Sequence, residues 1–218
     1  MIRSLIIAIF VLGGFGFILF QIYQFIFSIG GSRSKIEKDK KELKEIALEL
    51  AEDLVPISKE ELALLSSKLR SSRVTKGMYY TEKGLLTSVY EEPMVSYGYR
   101  NYGRGKSVLV ANTAEGNFEF EERKNGVQLR INGFVEGVIT EDGILNDAQG
   151  NKIADIHFKA NSEYRDIKIR ERKVAALLDP ENEDITENTR AYLELKDLNE
   201  QEQNILLGMT IYDTLIRE

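Results

Sequence analysis

The stretch Ile205-Leu-Leu-Gly-Met-Thr-Ile-Tyr-Asp-Thr-Leu-Ile216 decides how the rest of the chain is read. Wound as a helix, it carries apolar side chains around nearly its whole circumference, with Ile205, Leu206, Leu207, Met209, Ile211, Tyr212, Leu215 and Ile216 pointing in every direction. A helix of this kind must be enclosed by protein or lipid. At ~1.5 Å per residue it is ~18 Å long, too short for the ~30 Å of bilayer hydrocarbon. It therefore either threads a closed sheet or docks on the outside of one, and threading is the expectation. Asp213 then needs a partner or a place near a mouth, because an unpaired buried carboxylate is costly.

The residues ahead of it supply the sheet. Phe118-Glu-Phe120 and Val127-Gln-Leu129-Arg-Ile131 alternate with period two on either side of Asn125-Gly126, a hairpin signal. Asp142-Gly143 separates Val138-Ile139 from Ile144-Leu145, and Gln149-Gly150-Asn151 precedes a strand with Ala154, Ile156 and Phe158 on one face. Further short strands are expected at 78–82, 94–102, 107–112, 164–170, 173–178 and 190–196. About ten to twelve closely spaced strands, with no helix-length stretch between them, read as an antiparallel sandwich or barrel.

The opposite end has another composition. From Leu5 to Ile29 there is no charge, and Ile, Leu and Phe dominate. A helix of that length reaches ~37 Å, enough to span a bilayer, and it is far longer than the ~7–15 apolar residues of a signal peptide. Arg33, Lys35, Lys38, Lys40, Lys41 and Lys44 follow it, which places the C-terminal side in the cytoplasm by the positive-inside rule and marks these six as membrane-surface contacts. Ile36, Leu43, Ile46, Ala47, Leu50 and Leu54 then form one apolar stripe at helical spacing, ended by Pro56. Ser58 and Glu61 make a capping box for a second helix carrying Leu62, Leu65 and Leu69. The expected fold class is thus mainly β with helices: a transmembrane anchor over 1–30, a helical juxtamembrane stalk over 31–72, and an antiparallel β-barrel or sandwich over 73–218 with an apolar C-terminal helix at 200–217.

Ile144-Leu-Asn-Asp-Ala-Gln-Gly-Asn-Lys-Ile-Ala-Asp-Ile156 resembles the strand–turn–strand repeat of the tubby-like superfamily, which includes phospholipid scramblases and LURP-one proteins. Asn204 to Asp213 is similar to that family's terminal helix, which passes through a barrel. The resemblance covers about 134–218 and implies a barrel module concerned with lipid. The scramblase cysteine cluster and Pro-rich tail are absent, and the apolar span is N-terminal instead. A competing resemblance lies earlier: Ser66-Ser-Lys-Leu-Arg-Ser71, Leu86-Thr-Ser88, Met94 to Arg100 and Phe118 to Glu121 look like the GIDE-type β domain of membrane-anchored ubiquitin-ligase relatives, without the RING cysteines.

Composition narrows the chemistry. The chain has no cysteine and one histidine, which excludes thiolate metal sites, disulfides and cysteine nucleophiles. A net charge of −6 argues against nucleic acid as a partner. Gly105-Lys106-Ser107 matches the end of a P-loop, but Arg100 stands where the motif needs glycine and a strand follows. His157 and Asp155 share a strand face without any nucleophile signature. Asp179, Glu181, Glu183, Asp184 and Glu187 crowd a loop where the scramblase resemblance implies calcium; a solvated acidic loop is the plainer reading, and no cofactor or metal is assigned. Tyr97, Tyr99, Arg100, Tyr102, Arg104 and Lys106 interleave aromatic and basic groups as an anionic-ligand patch would, or as a plain strand and turn would. The expectation is a non-enzymatic, single-pass membrane module binding an anionic lipid headgroup or similar ligand at the cytoplasmic leaflet. The alternative is a tethered scaffold recruiting a protein partner, with oligomeric state open.

Overall fold

A computed structural model describes residues 33–76, 79–103, 105–157, 162–179 and 188–217. The chain divides into two compact units, Met1–Lys38 and Asp39–Glu218, and the sheet belongs to the second. Helix α1 covers Arg33–Glu49 and a single turn, α2, covers Lys59–Leu62. Twelve described strands follow: β1 (Leu65–Lys76), β2 (Tyr79–Ser88), β3 (Pro93–Asn101), β4 (Ser107–Asn112), β5 (Asn117–Arg123), β6 (Gly126–Ile131), β7 (Phe134–Ile139), β8 (Ile144–Asn146), β9 (Lys152–His157), β10 (Tyr164–Ile169), β11 (Arg172–Leu178) and β12 (Tyr192–Leu195). Helix α3, Glu200–Leu215, comes last.

Each strand pairs antiparallel with the next in sequence, so the sheet is one uninterrupted meander. Its two ends meet: the Ser67 amide donates to the Thr189 carbonyl at 3.0 Å and the Ala191 amide to Leu65 at 2.7 Å, with a bridge between Ser66 and Arg190. The result is a nearly closed barrel rather than a sandwich. Alternation sends Leu109, Ala111, Phe118, Phe120, Leu129, Ile131, Ile167 and Ile169 into one core with Leu206, Leu207, Met209 and Ile211 of α3.

Helix α3 enters through a capping box, in which the Asn199 side chain accepts from the Glu202 amide and Glu202 reaches back to the Asn199 amide. Its first turn is polar, so the helix is not apolar throughout as expected. Residues Ile205 to Asp213 are nonetheless all buried. The two polar members of that run are partnered: Thr210 meets the Tyr192 hydroxyl at 2.6 Å, and Asp213 accepts from Arg165 at 2.7 Å.

The expected helical region over 31–72 is corrected at its far end. Leu65 and Leu69 lie on β1, not on a second helix, because their alternation with Ser66 and Lys68 pairs them across to β2, Leu65 with Ser88 and Leu69 with Leu86. The stripe of α1 is no free stalk either, since Leu43 and Ala47 are fully buried. The proposed anchor, 1–30, lies outside the described residues, among which no helix is long and apolar enough to cross a membrane.

Shortening one interior side chain of α3 tests the arrangement. Leu206→Ala is expected to cost about 2–5 kcal/mol by urea denaturation of the full chain, as a core cavity does. A loss under about 0.5 kcal/mol, typical of a surface site, would contradict enclosure.

Candidate functional site

The described residues of the expected ligand patch do not share one surface. Strand β3 is buried on both faces, so its alternation divides them. Tyr97 and Tyr99 point into the barrel core. The Tyr97 hydroxyl donates to Glu82 at 2.9 Å, and Glu82 also accepts from Arg73 at 2.8 Å. Tyr99 stands edge-on to Tyr80, ring centroids 5.8 Å apart, and its hydroxyl accepts from Asn101. Burial first, and then the Glu82 carboxylate, raise the Tyr97 phenol well above its ordinary range, so it stays neutral.

Ser96, Gly98 and Arg100 occupy the outer face, and α1 lies on them. The Ser96 hydroxyl donates to the Ala47 carbonyl at 2.8 Å. At Gly98 the helix comes close: a Cβ there would stand 2.9 Å from the Leu43 carbonyl oxygen, closer than real side chains come. Arg100, only 7% exposed, is the electrostatic centre of the contact. Its Nη1 lies 2.9 Å from Asp39, its Nη2 donates to Glu42 at 2.9 Å, and its Nε donates to the Thr81 hydroxyl at 2.9 Å. The Tyr102 hydroxyl donates to the other Asp39 oxygen at 2.6 Å. Burial and then Asp39 push the Tyr102 phenol up, so it too keeps its proton.

Lys40 belongs to the same contact. Its ammonium donates to Glu121 on β5 at 2.6 Å, and at 7% exposure it faces the barrel rather than a membrane. Burial alone would raise the Glu121 carboxyl, but hydrogen bonds from Lys40 and Arg123 bring it below its ordinary value. Of the other expected membrane contacts, Lys38, Lys41 and Lys44 are exposed and Lys35 is half-buried; for Arg33 only the helical backbone is described. Lys106 is exposed in the turn after β3, while Arg104 lies outside the described residues.

A second polar cluster was not legible in the sequence. Arg165 on β10 bridges Asp213 of α3 at 2.7 Å and Asp179 at 2.5 Å. Asp213 is completely buried, and its other oxygen has Arg217 at 3.9 Å. Burial raises the Asp213 carboxyl above its ordinary value, against the pull of Arg165. Asp179 is thus the one member of the acidic run that is described; 180–187 lie outside. His157 is exposed opposite Asp166, and Asp155 pairs with Lys152 at 3.3 Å. Among the described residues no group of three His, Asp or Glu side chains could hold a metal.

Depressions lined by described residues include two on the surface. One of about 310 Å³ lies around Glu122, Glu141, Tyr212 and Arg217, and one of about 240 Å³ around Ile57, Glu115, Asn132 and Gln203. Each mixes charged and apolar groups without a convergent polar set. No family model, curated protein or solved structure matches the chain.

Asp213 gives a pH signature with a definite sign. Its folded-state pKa is raised, so the folded chain takes up the proton first and gains stability as pH falls from neutrality. Denaturation at a series of pH values should show the wild type gaining on Asp213→Asn as the solution is acidified. A wild type that loses ground to the variant on acidification would contradict a desolvated carboxylate.

Proposed function

We propose that this chain is a membrane-tethered, non-enzymatic barrel that acts as a scaffold, presenting its outer surface to a protein partner at the cytoplasmic leaflet. One observation carries the reading. The helix that follows the proposed anchor is fastened to the barrel by Arg100, Tyr102, Lys40 and Leu43, so the tether ends in a rigid mount rather than a loose lead. The interior supports the same view, because α3 takes up the space in which a barrel of this kind would hold a small ligand.

Tyr97, Tyr99, Arg100 and Tyr102 are engaged inside the molecule, which moves the weight from headgroup recognition by that patch to recruitment of a protein. A bilayer contact by the basic segment remains a second reading. Exposed Lys38, Lys41 and Lys44 favour it, each worth about 1 kcal/mol beside anionic lipid. The tubby-like resemblance is proposed on the same footing. It implies a terminal helix passing through a barrel, and the burial of Ile205 to Asp213 beside a nearly closed twelve-strand sheet supports it.

Because the chain has no native cysteine, sidedness is simple to measure. Single cysteines replacing Ser32 or Phe134 should resist an impermeant thiol reagent in intact cells and react after lysis. Labelling from outside would place the barrel on the other side. Cross-linking in the same cells should give one discrete adduct that survives high salt. If no discrete adduct forms, and instead membrane retention of a chain lacking the apolar span rises and falls with salt, the lipid-surface reading replaces the scaffold.

A further inference from the structure

We infer that the open edge of β1, from Leu69 to Lys76, is a docking site for an extended acidic segment of a partner protein, which adds to the sheet as a further strand. The inference rests on the scaffold reading for the existence of a partner, and it deepens that reading by naming the surface and the chemistry that fits it.

The barrel closes along only the first part of β1. Thr189 and Ala191 bond back to Ser67 and Leu65, and beyond Ser67 no strand among the described residues pairs with that side of β1. The strand itself runs on, held on its other side by β2 in a register from Leu69 opposite Leu86 to Lys76 opposite Tyr79. That leaves ~27 Å of edge at ~3.4 Å per residue, and every residue from Arg70 to Thr75 is exposed. The register also tells which backbone groups face outward. The Tyr102 amide donates to the Lys106 carbonyl, so the even-numbered residues of β3 bond towards β4 and the odd-numbered ones towards β2. Carried through the next two pairings, this turns the even-numbered residues of β1 to β2, and Leu69, Ser71, Arg73 and Thr75 to the open side. The Ser67 amide and the Leu65 carbonyl, which reach Thr189 and Ala191, agree with that count. Such a row of donors and acceptors is a template for strand addition, in which main-chain hydrogen bonds supply most of the affinity.

Charge chooses the occupant. Lys68, Arg70 and Arg73 on β1 and Lys83, opposite Ser72 on β2, stand along this edge. Arg70 pairs with Glu91 at 2.7 Å and Arg73 with Glu82 at 2.8 Å, so the strip stays positive after its own carboxylates are counted. Two copies of the chain meeting edge to edge would set like charges against each other, a common guard against self-pairing. A segment with carboxylates at alternate positions meets the opposite sign instead. Val74, 55% exposed, offers it one apolar contact as well. A lipid headgroup could approach the cations but would leave the row of backbone groups unanswered. The α1 contact centres on β3, so a strand added at β1 leaves the mount of the barrel intact.

The test uses the full chain in detergent micelles and, as the probe, a fluorescent peptide of about ten residues alternating glutamate with valine and threonine. Its control is the same peptide with alternate amides N-methylated, which keeps the charge and loses the donors. The wild type should bind the probe and not the control. Ser71→Pro with Thr75→Pro removes two outward N–H groups without touching the bonds to β2, and should weaken binding about tenfold. Lys68→Glu with Lys83→Glu leaves the backbone alone and should weaken it about fivefold at low salt and less at high salt. The charge pair decides the matter if the thermal melt shows that the prolines disturb the fold. No binding by the wild type, equal binding of the control, or binding that survives both pairs of substitutions overturns the proposal. So does displacement of the probe by phosphatidylserine vesicles, which would make the strip a lipid surface. Binding that appears only once Glu181, Glu183, Asp184 and Glu187 are replaced by their amides would make the occupant this chain's own acidic run. A dimer in micelles that the prolines dissolve would make it a second copy, and either result also overturns the partner. In cells, an adduct that persists in the proline variant would sink the edge alone, and proline-sensitive probe binding without any adduct would sink the scaffold reading alone.

Discussion

A sheet of twelve antiparallel strands curled on itself encloses more space than its own inward side chains fill, and everything in this molecule follows from how that space is occupied. Helix α3 occupies it. A run buried on all sides has no stable place on a surface or in water, and a barrel without it would hold a void or a column of solvent. Each half therefore requires the other. The polar groups that α3 brings inside are those the wall can answer, Thr210 by Tyr192 and Asp213 by Arg165. Its polar first turn stays at the mouth under the Asn199 cap.

With the interior filled, the outer face of the sheet is the surface left to solvent, except where β3 and its neighbour β4 are covered on both faces. Along β3 neither face is left to solvent. The inner face contributes aromatic bulk, and the outer face contributes small residues and one arginine to α1. The same alternation that builds the core thus builds a socket on its back. An element that sequence reading treats as a stalk becomes part of the folded unit from Asp39 onward. The contact between α1 and the sheet centres on Arg100, which pairs with Asp39 and Glu42.

Much of the barrel could be read in advance because its devices are local. The hairpin of β5 and β6 sits where its alternation put it, although its turn is Lys124-Asn125 and Gly126 already begins β6 with φ of 124°. The β6–β7 turn, Asn132-Gly133 with φ of 53° and 83°, carried a legible signal that Phe134 and Val135 obscured by being exposed. The β10–β11 turn is another matter. Arg170 and Glu171 adopt φ of 49° and 65° with no glycine or asparagine to announce it, so only the pairing of the flanking strands reveals it. Strand β1 mimics a helix in the sequence, because Leu62, Leu65 and Leu69 fit a helical period and its polar half masks the alternation. For the Tyr–Arg patch the plain strand reading, with Tyr97 and Tyr99 on one face, is the one the structure follows. Alternation along that strand sends Tyr97 and Arg100 opposite ways. The partners of Arg100 lie about sixty residues earlier in the chain, and no local pattern could have named them.

The most direct measurement is amide hydrogen exchange along α3 in the folded chain. If the helix is enclosed by the barrel, the amides of Ile205 to Asp213 exchange only when the whole domain unfolds, with protection matching the global stability. If those amides instead exchange ahead of the barrel strands, as those of a helix docked loosely outside would, the enclosed-helix account is wrong.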